Sequence, residues 1–250
     1  FYGHKLVIIP VTIATGLSLA ILPALTKAFT EKNQIQVIQQ INQALQIIFV
    51  LVIPAAIGLI CLSDVAYGSL YGLDHITITA PLLAWYAPVS LFFALFIVSS
   101  SILQGINQQR FAVISLSAGL LLKILFNVQL IHMFGAKGAI FGTALAVCTA
   151  VSLNLWRIKK TLRISFKQTG KRLLLVFILL KIMLTVIWLF RFLGGLVLPF
   201  EESRLAATVM LLIGVFGGGS VYLWFAYQST LLERVLGSRV KKLERFIRKY

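Results

Sequence analysis

Lys123 stands in the middle of an apolar run, Gly-Leu-Leu-Leu-Lys-Ile-Leu-Phe-Asn, and Asn127 follows it by four residues. On a helix that spacing puts both on one face. A lysine at the centre of a bilayer costs about 3 kcal/mol unless a cavity or a partner receives it. The pair could therefore hold an anionic or sugar head group, or it could anchor a bundle by bonding helix-end carbonyls. Lys181 lies in another apolar run, about a third of the way in, where snorkelling to the surface is easier. Thr12, Thr15 and Ser18 recur at a spacing of three in the first apolar run. Such hydroxyls could line a cavity or serve ordinary helix packing.

Other chemistry is poorly supported. His4, His75 and His132 are isolated, and none stands at a metal-ligand spacing from a Cys or a carboxylate. Cys61 and Cys148 suggest neither a disulfide framework nor a zinc site. There is no nucleophile–base constellation, P-loop or dinucleotide fingerprint. No carboxylate falls inside an apolar run. The expectation is a protein that is not an enzyme, with no catalytic residue, metal or cofactor.

The elements that would position these residues follow from composition. At 59% hydrophobic, 12% charged and a mean hydropathy of +0.95, the chain carries more apolar surface than one soluble globule can bury. That points to an all-α polytopic membrane bundle. Seven runs are long enough to cross: about Leu6–Thr26, Leu45–Leu62, Pro81–Leu103, Phe111–Phe134, Ala139–Ile158, Leu173–Phe192 and Leu205–Tyr227. Gly135 to Gly138 alone separates the fourth from the fifth, which predicts a tight antiparallel hairpin. Pro10, Pro23, Pro54 and Pro88 are candidate kinks. Gly217, Gly218 and Gly219 would permit close approach in the seventh span. Residues 34–46 carry six Gln between Ile35, Ile38 and Ile41, which reads as a short surface helix leading into the second span.

The net charge of +16 is read as membrane topology, with no nucleic-acid partner. Alternate connections hold seventeen of the 23 basic residues, and the intervening side holds four with Asp64, Asp74, Glu201 and Glu202. This predicts Phe1 outside and the C-terminus in the cytoplasm, with a multi-pass chain between. From Leu232, Val235, Leu236, Val240, Leu243, Phe246 and Ile247 fall at helical spacing against Lys and Arg. That is the pattern of an amphipathic tail on anionic lipid. The start at Phe1, without a charged n-region, is read as lacking a signal peptide and as a piece of a longer protein.

The stretch 99–146 discriminates best. It has Leu103-Gln104-Gly105 with Gln108 and then Arg110, next Lys123 with Asn127, and then Gly135, Gly138 and Ala139. This order resembles the polysaccharide-transporter branch of the MOP flippase superfamily, which includes the lipid II flippases and the stage V sporulation protein B type. The opening LVIIPVTIATGLSLAILPALTKAF is similar too, ending a span in Leu-Pro before a polar cytoplasmic segment. The resemblance implies two six-helix lobes, with two further helices in lipid II flippases. Residues 1–160 would then be five second-lobe helices, 161–228 the additional pair, which in those proteins forms a groove for the lipid tail, and 229–250 the tail. It implies a flippase for undecaprenyl-linked cell-wall or polysaccharide precursors, working by alternating access with a missing N-terminal lobe of the same protein. Lys123, Asn127, Thr12, Thr15, Ser18 and Lys181 would be cavity residues, and Gln104, Gly105, Gln108 and Arg110 a cytoplasmic turn. The rivals are a multidrug exporter of the same superfamily and a non-transporting membrane scaffold. A seven-helix photoreceptor is disfavoured, because the seventh span lacks a Lys and no span carries a carboxylate.

Overall fold

The computed structural model describes residues 3–74, 76–164, 167–197 and 203–229. The amphipathic helix expected from Leu232 lies outside the described residues. The described elements are α1 (Gly3–Thr30), α2 (Gln34–Cys61), α3 (Ser63–Tyr71), α4 (Ile76–Tyr86), α5 (Val89–Gly105), α6 (Gln109–Phe134), α7 (Ala136–Leu162), α8 (Lys167–Val197) and α9 (Arg204–Gln228). Seven stretches are long and apolar enough to cross a membrane, with α4 and α5 counted as one. The expected multi-pass helical bundle is therefore what the chain forms.

Local chemistry sets the boundaries. Lys32 takes a positive φ of 57°, and the Asn33 side chain caps α2 by accepting from the Gln36 amide at 3.1 Å. Pro88 lacks an amide donor, and the third span divides there into α4 and α5. Pro10, Pro23 and Pro54 behave differently: α1 and α2 run on through them without a break. Gly135 alone joins α6 to α7, at φ 59° and ψ −137°, a region open to glycine. The expected hairpin is present.

Two features depart from the sequence reading. α3, a nine-residue helix after the second span, is an addition. Residues 34–46 do not form a separate surface helix. They are the first turns of α2, with Val37, Ile41, Ala44, Leu45 and Gln46 buried. The Gln-rich face had suggested water, but the apolar residues between recur on one side and pack inward.

α2 is the central element, since 56% of its most apolar window is buried, against 17% for α6. Its Ile41, Leu45, Ile48 and Val52 pack with Ala14 and Leu25 of α1, Leu103 of α5 and Ile158 of α7. Its Ile47, Val50 and Ile53 pack with Leu180 and Met183 of α8 and Met210 and Tyr222 of α9. α8 and α9 thus share a core with α2. A buried polar knot joins α5, α6 and α7: Ser115 donates to Asn154 Oδ1 at 2.5 Å, and Asn154 Nδ2 donates to Ser99 at 3.1 Å and Ser100 at 3.2 Å. Each bond satisfies a group that lipid could not.

Candidate functional site: an apolar groove along the last helix pair

α1, α2, α3, α8 and α9 enclose a groove of about 420 Å³. Its walls are almost entirely hydrocarbon: Ile9 and Pro10 of α1, Val50 and Pro54 of α2, Ile187 of α8, and Leu211 and Val215 of α9. Small residues make the space. A Cβ at Gly58 or Gly219, both in the lining, would meet nothing within 4 Å. Gly217 and Gly218 work differently, letting α9 close on α8, because a Cβ there would lie 2.3 Å from Phe190 and 2.6 Å from Ile187. Tyr222 is in the lining, and its hydroxyl donates to the Val50 carbonyl at 2.8 Å. A concave, apolar, satisfied surface of this kind suits a hydrocarbon chain rather than a reaction.

Arginines tie together the helices that build the groove, outside its lining. Arg172 donates to Gln46 Oε1 of α2. Nineteen residues further along α8, Arg191 donates to both Asp64 oxygens, at 2.8 and 2.5 Å, and to the Cys61 carbonyl. At 1.5 Å per residue the two arginines stand about 28 Å apart, close to the hydrocarbon thickness of a bilayer. Arg204 of α9 donates to the Ser69 carbonyl at 2.9 Å and the Leu70 carbonyl at 3.1 Å. Ser69 and Thr208 hydroxyls lie 3.0 Å apart. α3 is thus tied to α8 and α9, and its Ala66 and Leu70 line the groove. These ties were missed in the sequence. The available signal was a cation and a carboxylate, Arg191 and Asp64, assigned to the same side of the membrane.

The structure divides the expected site residues. Thr12 and Thr15 lie on an exposed face of α1, a turn beyond Ile9 and Pro10 of the groove. Their hydroxyls donate within the helix, to the Ile9 carbonyl at 2.7 Å and the Val11 carbonyl at 3.3 Å. Ser18 is buried, its oxygen without a hydrogen-bond partner, in a small space shared with Val98 and Ser101 of α5. Lys123 and Asn127 are half-buried on α6, whose main packing partner is α7. Asn127 Oδ1 is buried without a partner and abuts Gly142, where a Cβ would lie 2.7 Å away. Neither residue lines the groove. Lys181 is exposed on α8 and also lies outside the lining. In the α5–α6 turn, Gly105 packs so closely on α1 that a Cβ would stand 2.8 Å from Leu25. Gln108 accepts from Arg157 Nε at 2.6 Å. Gln104 and Arg110 remain exposed. Among the described residues no group of three His, Cys, Asp or Glu could hold a metal ion.

Comparison with known proteins gives these features a context. A family model described as lipid II flippase MurJ matches residues 2–198. The lipid II flippase MurJ of Bacillus subtilis (strain 168) is 38% identical over 241 residues, which is 96% of this chain and 44% of that protein. A probable low-salt glycan biosynthesis flippase, Agl15, of Haloferax volcanii is 27% identical over 202 residues, covering 81% of this chain and 40% of that one. The solved structure of a lipid II flippase MurJ in an inward closed conformation superposes with a TM-score of 0.68 at 23% identity, over 94% of this chain and 46% of that one. The chain therefore spans less than half the length of the relatives it matches.

Proposed function

The chain belongs to the lipid II flippase MurJ family, and from that premise we propose that it is the second half of a flippase that carries a polyprenyl-linked cell-wall precursor across the bilayer. The observation that carries this reading is the groove. It is apolar, runs from Val50 to Leu62 along α2, about 18 Å at the rise of a helix, and is open to a chain that stays in lipid while its head group crosses. The family is named for moving a lipid and not for catalysis, in keeping with a site that offers no reacting group.

On this reading the exposed face of α1, with Thr12 and Thr15, turns toward the head-group path and toward the first lobe, which the chain does not include. Lys123 and Asn127 form a pair of their own, a cation one helical turn from a carbonyl oxygen that lacks a donor. The proposed role of Lys123 and Asn127 is a contact to the lipid's anionic phosphates; Ser18, buried against α5, and Lys181, exposed on α8, stand apart from that pair. Lys123→Ala in the full-length parent protein is expected to slow translocation about tenfold, the worth of one charge-assisted contact. Unchanged translocation would make Lys123 a packing residue.

The basic residues set the proposed sidedness, with the α6–α7 hairpin outside and the α7–α8 connection in the cytoplasm of a bacterial cell. In a background lacking Cys61 and Cys148, Lys137→Cys should react with a membrane-impermeant maleimide in intact cells and Arg163→Cys should not. The basic tail is proposed to rest on anionic lipid. Transport itself is tested in vesicles. The parent should move labelled lipid II between leaflets, whereas a scaffold protein would move none.

A further inference from the structure

A second concavity, of about 410 Å³, lies between α5 and α6 and shares no residue with the apolar groove. Phe96, Ser100 and Gln104 line it from α5 at a spacing of four, so they form one stripe. Arg110, Leu116 and Leu120 line it from α6. The two stripes are graded in the same direction. Gln104 and Arg110 stand together at the turn, Ser100 comes next, and Phe96, Leu116 and Leu120 stand deeper. From Arg110 to Leu120 is about 15 Å at the rise of a helix, the depth of one leaflet.

The charges at this turn are unequal in what they do. Arg157 is occupied, donating to Gln108 and lying 5.2 Å over the Phe111 ring. Arg110 is exposed and makes no hydrogen bond or ion pair among the described residues. No carboxylate lines the concavity. A cation and an amide at the membrane surface, above an apolar slot one leaflet deep, match the shape and charge of an anionic amphiphile.

We propose that the α5–α6 concavity binds one anionic glycerophospholipid of the adjoining leaflet. Its phosphodiester sits at Arg110 and Gln104, and an acyl chain runs along Phe96, Leu116 and Leu120. The site needs the turn to lie at a membrane surface and is independent of what the parent protein transports.

The test places the full-length parent in vesicles of phosphatidylcholine that contain a trace of lipid with a photoreactive acyl chain. That lipid is either phosphatidylglycerol or phosphatidylcholine. Cross-linked peptides are located by mass spectrometry, and no transport is read, so a parent that moves no lipid II can still pass. Labelling of Leu116 and Leu120 should be about fivefold greater with phosphatidylglycerol, the worth of one arginine at an anionic lipid. Arg110→Ala should erase that difference, and Arg110→Lys should keep most of it. Leu116→Trp, which fills the slot, should lower labelling by phosphatidylglycerol at Leu120. Leu125, exposed by 67% and off the Leu116–Leu120 stripe, reports ordinary lipid contact. Equal labelling by both lipids at Leu116 and Leu120 would overturn the proposal. So would labelling at Leu125 with none in the slot, since another part of the parent would then cover it.

Discussion

Gly119→Leu is expected to separate α6 from α7 and to leave little folded protein. A Cβ at Gly119 would lie 2.2 Å from the Ala146 carbonyl oxygen, and one at Gly138 would lie 2.0 Å from the Leu130 carbonyl oxygen. These are contacts of backbone with backbone, and no side-chain rotation relieves them. The helices approach because both glycines lack a side chain, as small residues allow in membranes generally. α6 has little else to hold it, with only 17% of its most apolar window buried. Moving it outward also strains the Ser115–Asn154 bond. Overpacking alone costs about 1–3 kcal/mol, and here the loss of the hairpin's contacts adds to it. Thermal unfolding of detergent-purified parent protein, followed by size exclusion, checks this. Gly16→Ala is the comparison, because its Cβ would meet nothing within 4 Å, and it should unfold as the unmodified protein does.

Gly219→Leu is expected to do the opposite, leaving the fold intact while stopping transport. Gly219 lines the apolar groove, and a Cβ there meets no atom within 4 Å. The added side chain therefore occupies the space proposed for the lipid tail without pushing on a helix. The buried core around it, from Leu180 to Met210, keeps its contacts. A chain that must lie in the groove during crossing would be displaced, and translocation should fall more than tenfold. Gly58→Leu fills the same groove from α2, so it should act in the same direction with the same preserved unfolding temperature.

Much of the architecture was legible in the residues because membrane spans are written in length and apolarity. The tight hairpin was legible because glycine acts on the backbone locally, although the break is Gly135 alone rather than Gly135 to Gly138; the prolines were less legible, since Pro88 divides a span while α1 and α2 run on through Pro10, Pro23 and Pro54. α3 was not legible, since nine residues of mixed character give no span signal and its place depends on Arg191 and Arg204 reaching it from α8 and α9. The burial of residues 34–46 was misjudged because six glutamines outweighed the apolar stripe of Val37, Ile41 and Ala44. The resemblance implied a lipid-tail groove at the last two helices, but its walls were not legible, for a deeper reason. Five helices build it, and Ile9, Pro54, Gly58 and Gly219 look like ordinary span residues until they converge. The polar candidates were visible because a lysine in hydrocarbon is conspicuous, but conspicuousness carries no address. Asn127 abuts Gly142 of α7 and Lys123 is half-buried one turn before it, while Thr12 and Thr15 face outward beside the groove.

The most direct test of the central claim is the initial rate at which lipid II crosses the bilayer of vesicles holding the full-length parent protein, measured beside the Gly219→Leu variant. A rate well above that of empty vesicles, lost in the variant while its folded fraction is unchanged, is the predicted result. A parent no faster than empty vesicles, or a variant as fast as the parent, would contradict the account: the first removes lipid II as cargo, and the second removes the groove from its path.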